Sequence, residues 1–266
     1  MKKLLLALVA TAAFTGSASA ADLAARPYTK APVPMAPLYN WTGFYIFGGA
    51  GGGLWNADSN VVTNPGGLAI TRDQRMGGSG WYGTVGAGYD WQFNTSWVVG
   101  IFGDGQFGSI RGSISDPAVA FEGQEKLRNS YAAGLRLGYL VAPNVLSYVN
   151  GGYSGSQWSG ASFSTLAAAG GPVAFTTPSF NRNGWFIGGG VENNLNIFGI
   201  SAPGWFMKTE YRAAFYGRVT LPETFTPAFG GGITGDSVTF KPWNQTISTS
   251  LVYRFNWGGA PIQAKY

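Results

Sequence analysis

Eight charged residues, Asp90, Asp104, Arg136, Glu192, Lys208, Glu210, Arg212 and Arg254, sit inside otherwise apolar or glycine-rich stretches of the chain. Four acids and four bases could make a catalytic carboxylate site, a selectivity ring or a neutral polar network filling an interior. The rest of the composition narrows that choice. None of the 266 residues is Cys or His, which removes disulfides, thiol nucleophiles, Cys-type zinc sites, Ser-His-Asp triads and imidazole ligands. Nothing singles out a pair of acids whose environments would push their pKa values apart. No catalytic, cofactor-binding or metal-binding residue is therefore assigned, and no cofactor is expected.

The elements that must hold these charges are read from the same sequence. Glycine contributes 42 residues without a G-X-Y period, aromatic residues make up 15% and charged residues only 11%. That charge share is under half the usual ~25%, while the apolar content is too high for a disordered linker. Such a chain is a large all-β protein or one that does not face water on every side. A pI near 9.4 reflects charge scarcity rather than a basic cluster, so no nucleic-acid partner is expected.

Residues 1–20 carry Lys2-Lys3, an apolar run from Leu4 to Ala13 and the small-residue site Ala18-Ser19-Ala20. This is the pattern of a secretory signal peptide cleaved after Ala20, too short in its apolar part for a spanning helix. Residues 21–40 contain Pro27, Pro32, Pro34 and Pro37 without hydrophobic periodicity and read as an extended linker.

Beyond residue 40 the periodicity is two. In 81–92, Trp81, Gly83, Val85, Ala87, Tyr89 and Trp91 occupy one parity, and Thr84, Asp90 and Gln92 the other. The same reading gives eight segments: 43–55, 81–92, 97–110, 130–141, 145–154, 184–195, 205–216 and 245–255. Their lengths suit tilted membrane-crossing strands, which need about nine to eleven residues. Short gaps (93–96, 142–144, 196–204) alternate with long ones (56–80, 111–129, 155–183, 217–244). This predicts an all-β fold, an eight-stranded antiparallel up-and-down transmembrane β-barrel over 41–257, with short periplasmic turns, long extracellular loops and a tail at 258–266.

Tryptophan placement points the same way. Trp41, Trp55, Trp81, Trp91, Trp97, Trp185, Trp205, Trp243 and Trp257 lie at or near segment ends, as aromatic girdles at two membrane interfaces would require; Trp158 lies mid-loop. All eight charges fall on the more polar parity of their segments, so they are expected in the lumen. An eight-stranded barrel is just wide enough for side chains to fill, which favours a plug over a channel.

Several stretches resemble the small outer-membrane β-barrel surface antigens of alphaproteobacteria, the porin-family or outer-membrane immunogenic group. They are Asn40-Trp41-Thr42-Gly43-Phe44-Tyr45-Ile46, Gly88-Tyr89-Asp90-Trp91-Gln92, Arg136-Leu137-Gly138-Tyr139, Gly189-Gly190-Val191-Glu192 and Tyr253-Arg254-Phe255-Asn256-Trp257. The resemblance implies the cell outer membrane of a Gram-negative bacterium and an architecture like the membrane domain of outer-membrane protein A. It also implies outer-membrane lipid and lipopolysaccharide as surroundings, with the secretion apparatus and the barrel-assembly machinery as partners in biogenesis. Tyr253 and Phe255 match the assembly signal of a last strand, although Ser250 stands where glycine is common, and Phe102 stands where an acid is common.

The expected role is a structural or surface protein contributing to envelope integrity and surface contacts. A narrow porin for small solutes is the alternative, a membrane-embedded enzyme is a further one, and a soluble secreted β-sandwich is the structural competitor. Composition does not decide the oligomeric state or what the long segments bind.

Overall fold

The computed structural model describes residues 39–165, 171–195 and 202–255. The signal peptide 1–20, most of the linker, Trp257 and the tail 258–266 lie outside the described residues. Eleven strands follow one another: β1 (Gly43–Thr63), β2 (Gln74–Gln92), β3 (Trp97–Asp116), β4 (Phe121–Ala142), β5 (Val145–Trp158), β6 (Ser162–Thr165), β7 (Phe175–Thr176), β8 (Phe180–Asn194), β9 (Trp205–Tyr216), β10 (Val219–Phe225) and β11 (Ile233–Arg254).

Their pairings, all antiparallel, close two rings. The first runs β1-β2-β3-β4-β5-β8-β9-β11 and returns to β1, giving the eight-stranded barrel. The second shares β1, β2, β3, β4 and β11 but replaces β5, β8 and β9 with β6, β7 and β10. Two strands make the exchange. From Trp243 to Tyr253, β11 pairs with β9, whereas Ile233 to Phe240 pair with β10. Likewise β4 pairs with β5 from Leu127 onward and with β6 through Phe121 to Gly123.

Much of the four long gaps is therefore strand rather than loop. The reason lies in which face stays apolar. On β1, the outward residues Phe44, Ile46, Ala50 and Leu54 give way to Asn56, Asp58 and Asn60, while the inward parity continues through Trp55, Ala57, Ser59 and Val61. On β2 the outward face changes between Trp81 and Ser79, and on β8 between Trp185 and Asn183. These sites are close in register, since Gly52 faces Trp81 and Leu54 faces Ser79. A strand leaving lipid exchanges its outer apolar residues for polar ones, but its inner face still has a core to pack.

Two cores fill the two levels. In the first ring, Trp41, Tyr45, Phe47, Phe102, Phe186 and Phe206 are buried among the charged residues. In the second, Trp55, Trp158 and Phe240 meet with ring centroids 5.3–5.6 Å apart, and Phe163 stacks on Phe175 at 4.7 Å. Leu127, Val219, Leu221 and Val238 complete it.

Three expectations are corrected here. Trp41 and Trp55 do not belong to an interface girdle: they are 1% and 0% exposed and point inward. Trp55 shares parity with Tyr45 and Phe47, and at the level where it sits the outer face has already turned polar. Trp158 is not mid-loop but ends β5 in the upper core. Finally, Tyr39, placed in the linker, packs its ring against Trp41 and Phe206 at 5.7 and 4.9 Å, so the packed body includes residues before the expected position 41.

Candidate functional site

The structure brings all eight charged residues into the first ring. They sit on six strands: Asp90 on β2, Asp104 on β3, Arg136 on β4, Glu192 on β8, Lys208, Glu210 and Arg212 on β9, and Arg254 on β11. Each is at most 9% exposed. They form two knots, one above the other.

The knot nearer the short turns joins Asp90, Glu192, Arg136 and Arg254. Arg136 donates to Asp90 through Nε (2.8 Å) and Nη2, and through Nη1 to Glu192 Oε2 (3.1 Å). Arg254 donates through Nε to Glu192 Oε1 (2.7 Å) and through Nη1 to Asp90 Oδ2 (2.8 Å). Each carboxylate thus faces two guanidinium groups, and each guanidinium two carboxylates. Strand β3 lies between Asp90 and Arg136 and presents Gly100, which pairs with both in register. A side chain at Gly100 would collide with the Asp90 carboxylate, so the missing Cβ is what lets Arg136 reach across. Nearby, Gly88 leaves the space that the Tyr45 ring occupies.

In the second knot, Arg212 makes a bidentate contact with Asp104 (2.9 and 2.7 Å) and donates to Glu210 Oε1 at 2.7 Å. Strands β3 and β9 stand opposite each other in the eight-membered ring, so the Asp104 pairing spans the lumen. The other Glu210 oxygen accepts from the Tyr148 hydroxyl (2.8 Å) and Asn150 Nδ2 (3.0 Å), with Lys208 Nζ at 3.7 Å. Aromatic faces cover the cations: Lys208 lies 3.3 Å from the Phe47 centroid, Arg254 4.5 Å from Trp41, Arg136 4.5 Å from Tyr45 and Arg212 4.6 Å from Phe186. Phe102 is a further plate beside Arg212 at 5.6 Å.

Paired buried charges of this kind repay their desolvation only when geometry and extra hydrogen bonds are good. Bidentate guanidinium contacts and cation–π plates supply most of that, while Arg212 Nε and Arg254 Nη2 stay buried without a hydrogen-bond partner. Chemically, the arrangement holds charge in place; every one of its acids is already engaged by a cation.

Of the remaining tryptophans expected at the interfaces, Trp81, Trp91, Trp97, Trp185 and Trp205 are exposed on the outer wall, and Trp243 has outward parity and stacks on Phe215. Tyr253 and Phe255 lie at the end of β11 with ring centroids 4.9 Å apart, and Ser250 is buried inward.

A third set of titratable groups, absent from the sequence reading, lies in the second ring. Asp116, Glu125 and Glu223 are buried there. Burial pushes the Glu223 carboxyl up to about 8, helped by the charges of Asp116 and Asp236 and by a hydrogen bond with Asp116. Burial likewise pushes Glu125 up to about 8, and it raises Asp116. The signal that could have revealed them is parity: Glu125 shares it with Leu127, between Gln124, Lys126 and Arg128, and Glu223 shares it with Val219 and Leu221, in stretches that otherwise read as loop.

No family model matches the chain. It is 29% identical over 226 residues to the 31 kDa outer-membrane immunogenic protein of Brucella melitensis, covering 83% of this chain and 90% of that protein. It is 28% identical over 261 residues to the 25 kDa outer-membrane immunogenic protein of Brucella abortus, covering 96% and 99%. Among solved structures, the outer membrane protein OprG of Pseudomonas aeruginosa aligns at 11% identity with a TM-score of 0.48, over 82% of this chain and 100% of that one. With an eight-stranded ring, an apolar outer band and similarity to these two Brucella proteins over most of its length, the chain is an outer-membrane β-barrel that resembles the outer-membrane immunogenic proteins.

Proposed function

We propose that the protein is a non-conducting, non-enzymatic surface barrel that contributes to envelope integrity and presents its extracellular ring for contacts. The observation that carries this reading is the double plug: two charge-neutral knots across the lumen, topped by the apolar core around Trp55, Trp158 and Phe240. An ion passing through would have to displace bidentate contacts and then cross a layer of packed aromatic rings. Within the first ring, four acids held by four cations also leave none of the described carboxylates free for proton transfer. The six outward tryptophans are assigned to girdles at the two interfaces, and Tyr253 and Phe255 to recognition by the assembly machinery.

Planar-bilayer recording tests the reading. The folded chain should insert without steady conductance, and Arg136→Gln or Arg254→Gln should open at most brief, irregular events. Steady channels whose ion selectivity shifts in those variants would replace this reading with the narrow porin.

A further inference from the structure

The outer wall of the extracellular ring carries three cations that the lumen networks do not use. Arg111 on β3 and Lys126 on β4 are direct cross-strand partners, and Arg128 follows two residues on at an irregularity in the β4–β5 pairing. Like charges placed directly opposite each other destabilise a sheet. Here no carboxylate relieves them: among the described residues, none of the three takes part in an ion pair within 4.0 Å. Other outward cations at this height are balanced differently. Arg75 pairs with Asp58 at 3.4 Å, and Lys241 stands opposite Asp58 in register. Glu125, which feels the charge of Arg128, has its carboxyl inward, buried and pushed up to about 8 by burial, so it is largely neutral at pH 7.

The three side chains line a cleft of about 360 Å³ together with Gln124, Ser159 and Ser162, a lining of cations and neutral hydrogen-bonding groups without an acid. Its height is set by the outer aromatics. Phe107 and Tyr131 are the last exposed aromatics on β3 and β4, and Arg111 and Arg128 lie four residues and three residues away, roughly 10 Å along a tilted strand. That is the headgroup layer beside the hydrocarbon, within reach of a long cationic side chain.

We propose that this cleft binds the phosphate group of an outer-leaflet lipid, with Arg111, Lys126 and Arg128 converging on one anionic phosphate monoester. A phosphate oxygen set satisfies guanidinium and ammonium donors together and turns an unfavourable like-charge pair into a chelating site. The site lies on the outer wall, so it stands or falls independently of whether the lumen conducts.

The test uses the full folded chain in lipid nanodiscs, with retained lipid read by native mass spectrometry. Three ligands are offered: a phosphorylated glucosamine-disaccharide lipid, the same lipid with its phosphates removed, and inorganic phosphate. The phosphorylated lipid should be retained at least tenfold better than the other two. Replacing all three cations (Arg111→Gln, Lys126→Gln, Arg128→Gln) should weaken it about a hundredfold, at roughly fivefold per cation near a membrane surface. Arg75→Gln should leave retention unchanged, and the charge-keeping pair Arg111→Lys, Arg128→Lys should keep most of it, with heat-modifiable gel mobility reporting folding. Equal retention of the dephosphorylated lipid, an unaffected triple variant, or inorganic phosphate binding as well as the lipid would each overturn the proposal.

Discussion

At the scale of single residues, position in or out of the membrane decides what a charge does. Inside the first ring, Asp90 and Glu192 meet two guanidinium groups each, and the glycine at position 100 is as necessary to that contact as the arginine. Outside the membrane, Glu223, Glu125 and Asp116 are buried without such partners, and burial raises them instead. A carboxyl whose pKa is higher folded than unfolded binds protons preferentially in the folded state. Its stabilising contribution is complete below the unfolded value of 4.5 and is lost as pH rises through about 8. The extracellular ring should therefore resist urea and protease better at pH 5 than at pH 9. Glu223→Gln should flatten that dependence by removing one ionisation, and an equal urea midpoint at both pH values in the parent chain would contradict the assignment.

At the scale of elements, the five shared strands do two jobs along their length. β1, β3, β4 and β11 run for 21, 20, 22 and 22 residues, whereas β9 stops after 12. The short strands are long enough for the lipid slab alone, and the long ones continue into a second ring with its own core. That ring depends on a few large side chains. Trp55→Ala or Phe240→Ala should cost about 3 to 5 kcal/mol, the usual range for removing a buried aromatic ring. The loss should be local. Protease should cut the extracellular extensions of β1 and β11, while heat-modifiable mobility persists because the first ring keeps its own network. Loss of both together would show that the two rings fold as one cooperative unit.

At the scale of the whole molecule, the outer wall defines where lipid sits. We assign one edge to the exposed Trp81, Phe107, Tyr131, Tyr153 and Trp185, and the other to the exposed Phe44, Trp91, Trp97, Tyr139 and Trp205. Along β2 the two edges are Trp81 and Trp91, which at ~3.3 Å per residue and ~40° tilt are roughly 25 Å apart. With no native cysteine in the chain, single cysteines can map this band. Asn56→Cys, Ser79→Cys and Gln157→Cys should react with a water-soluble maleimide in intact vesicles, and Val85→Cys, Ile187→Cys and Ile247→Cys should not. A reactive Ile247→Cys beside a silent Ser79→Cys would move the slab.

Much of this was legible from residue order alone, because a barrel in lipid leaves a local record. Period-two alternation, charges on one parity and short gaps between segments pointed to eight strands, and the parity of Asp90, Arg136, Glu192 and Lys208 pointed to the lumen. Two things were not local. Which acid meets which base depends on strands far apart in sequence that face one another only after closure, as Asp104 and Arg212 do across 108 positions. The second ring was hidden for a related reason: outside lipid the outward face turns polar, so 56–63 or 233–240 resembles loop until partner strands and the buried Trp55, Trp158 and Phe240 supply the missing half of the pattern. The sequence by itself determined the eight membrane-crossing segments and the parity on which their charges face inward; the second ring, and with it the pairing of the charges, was decided by tertiary structure, since only long-range contacts bring those faces together.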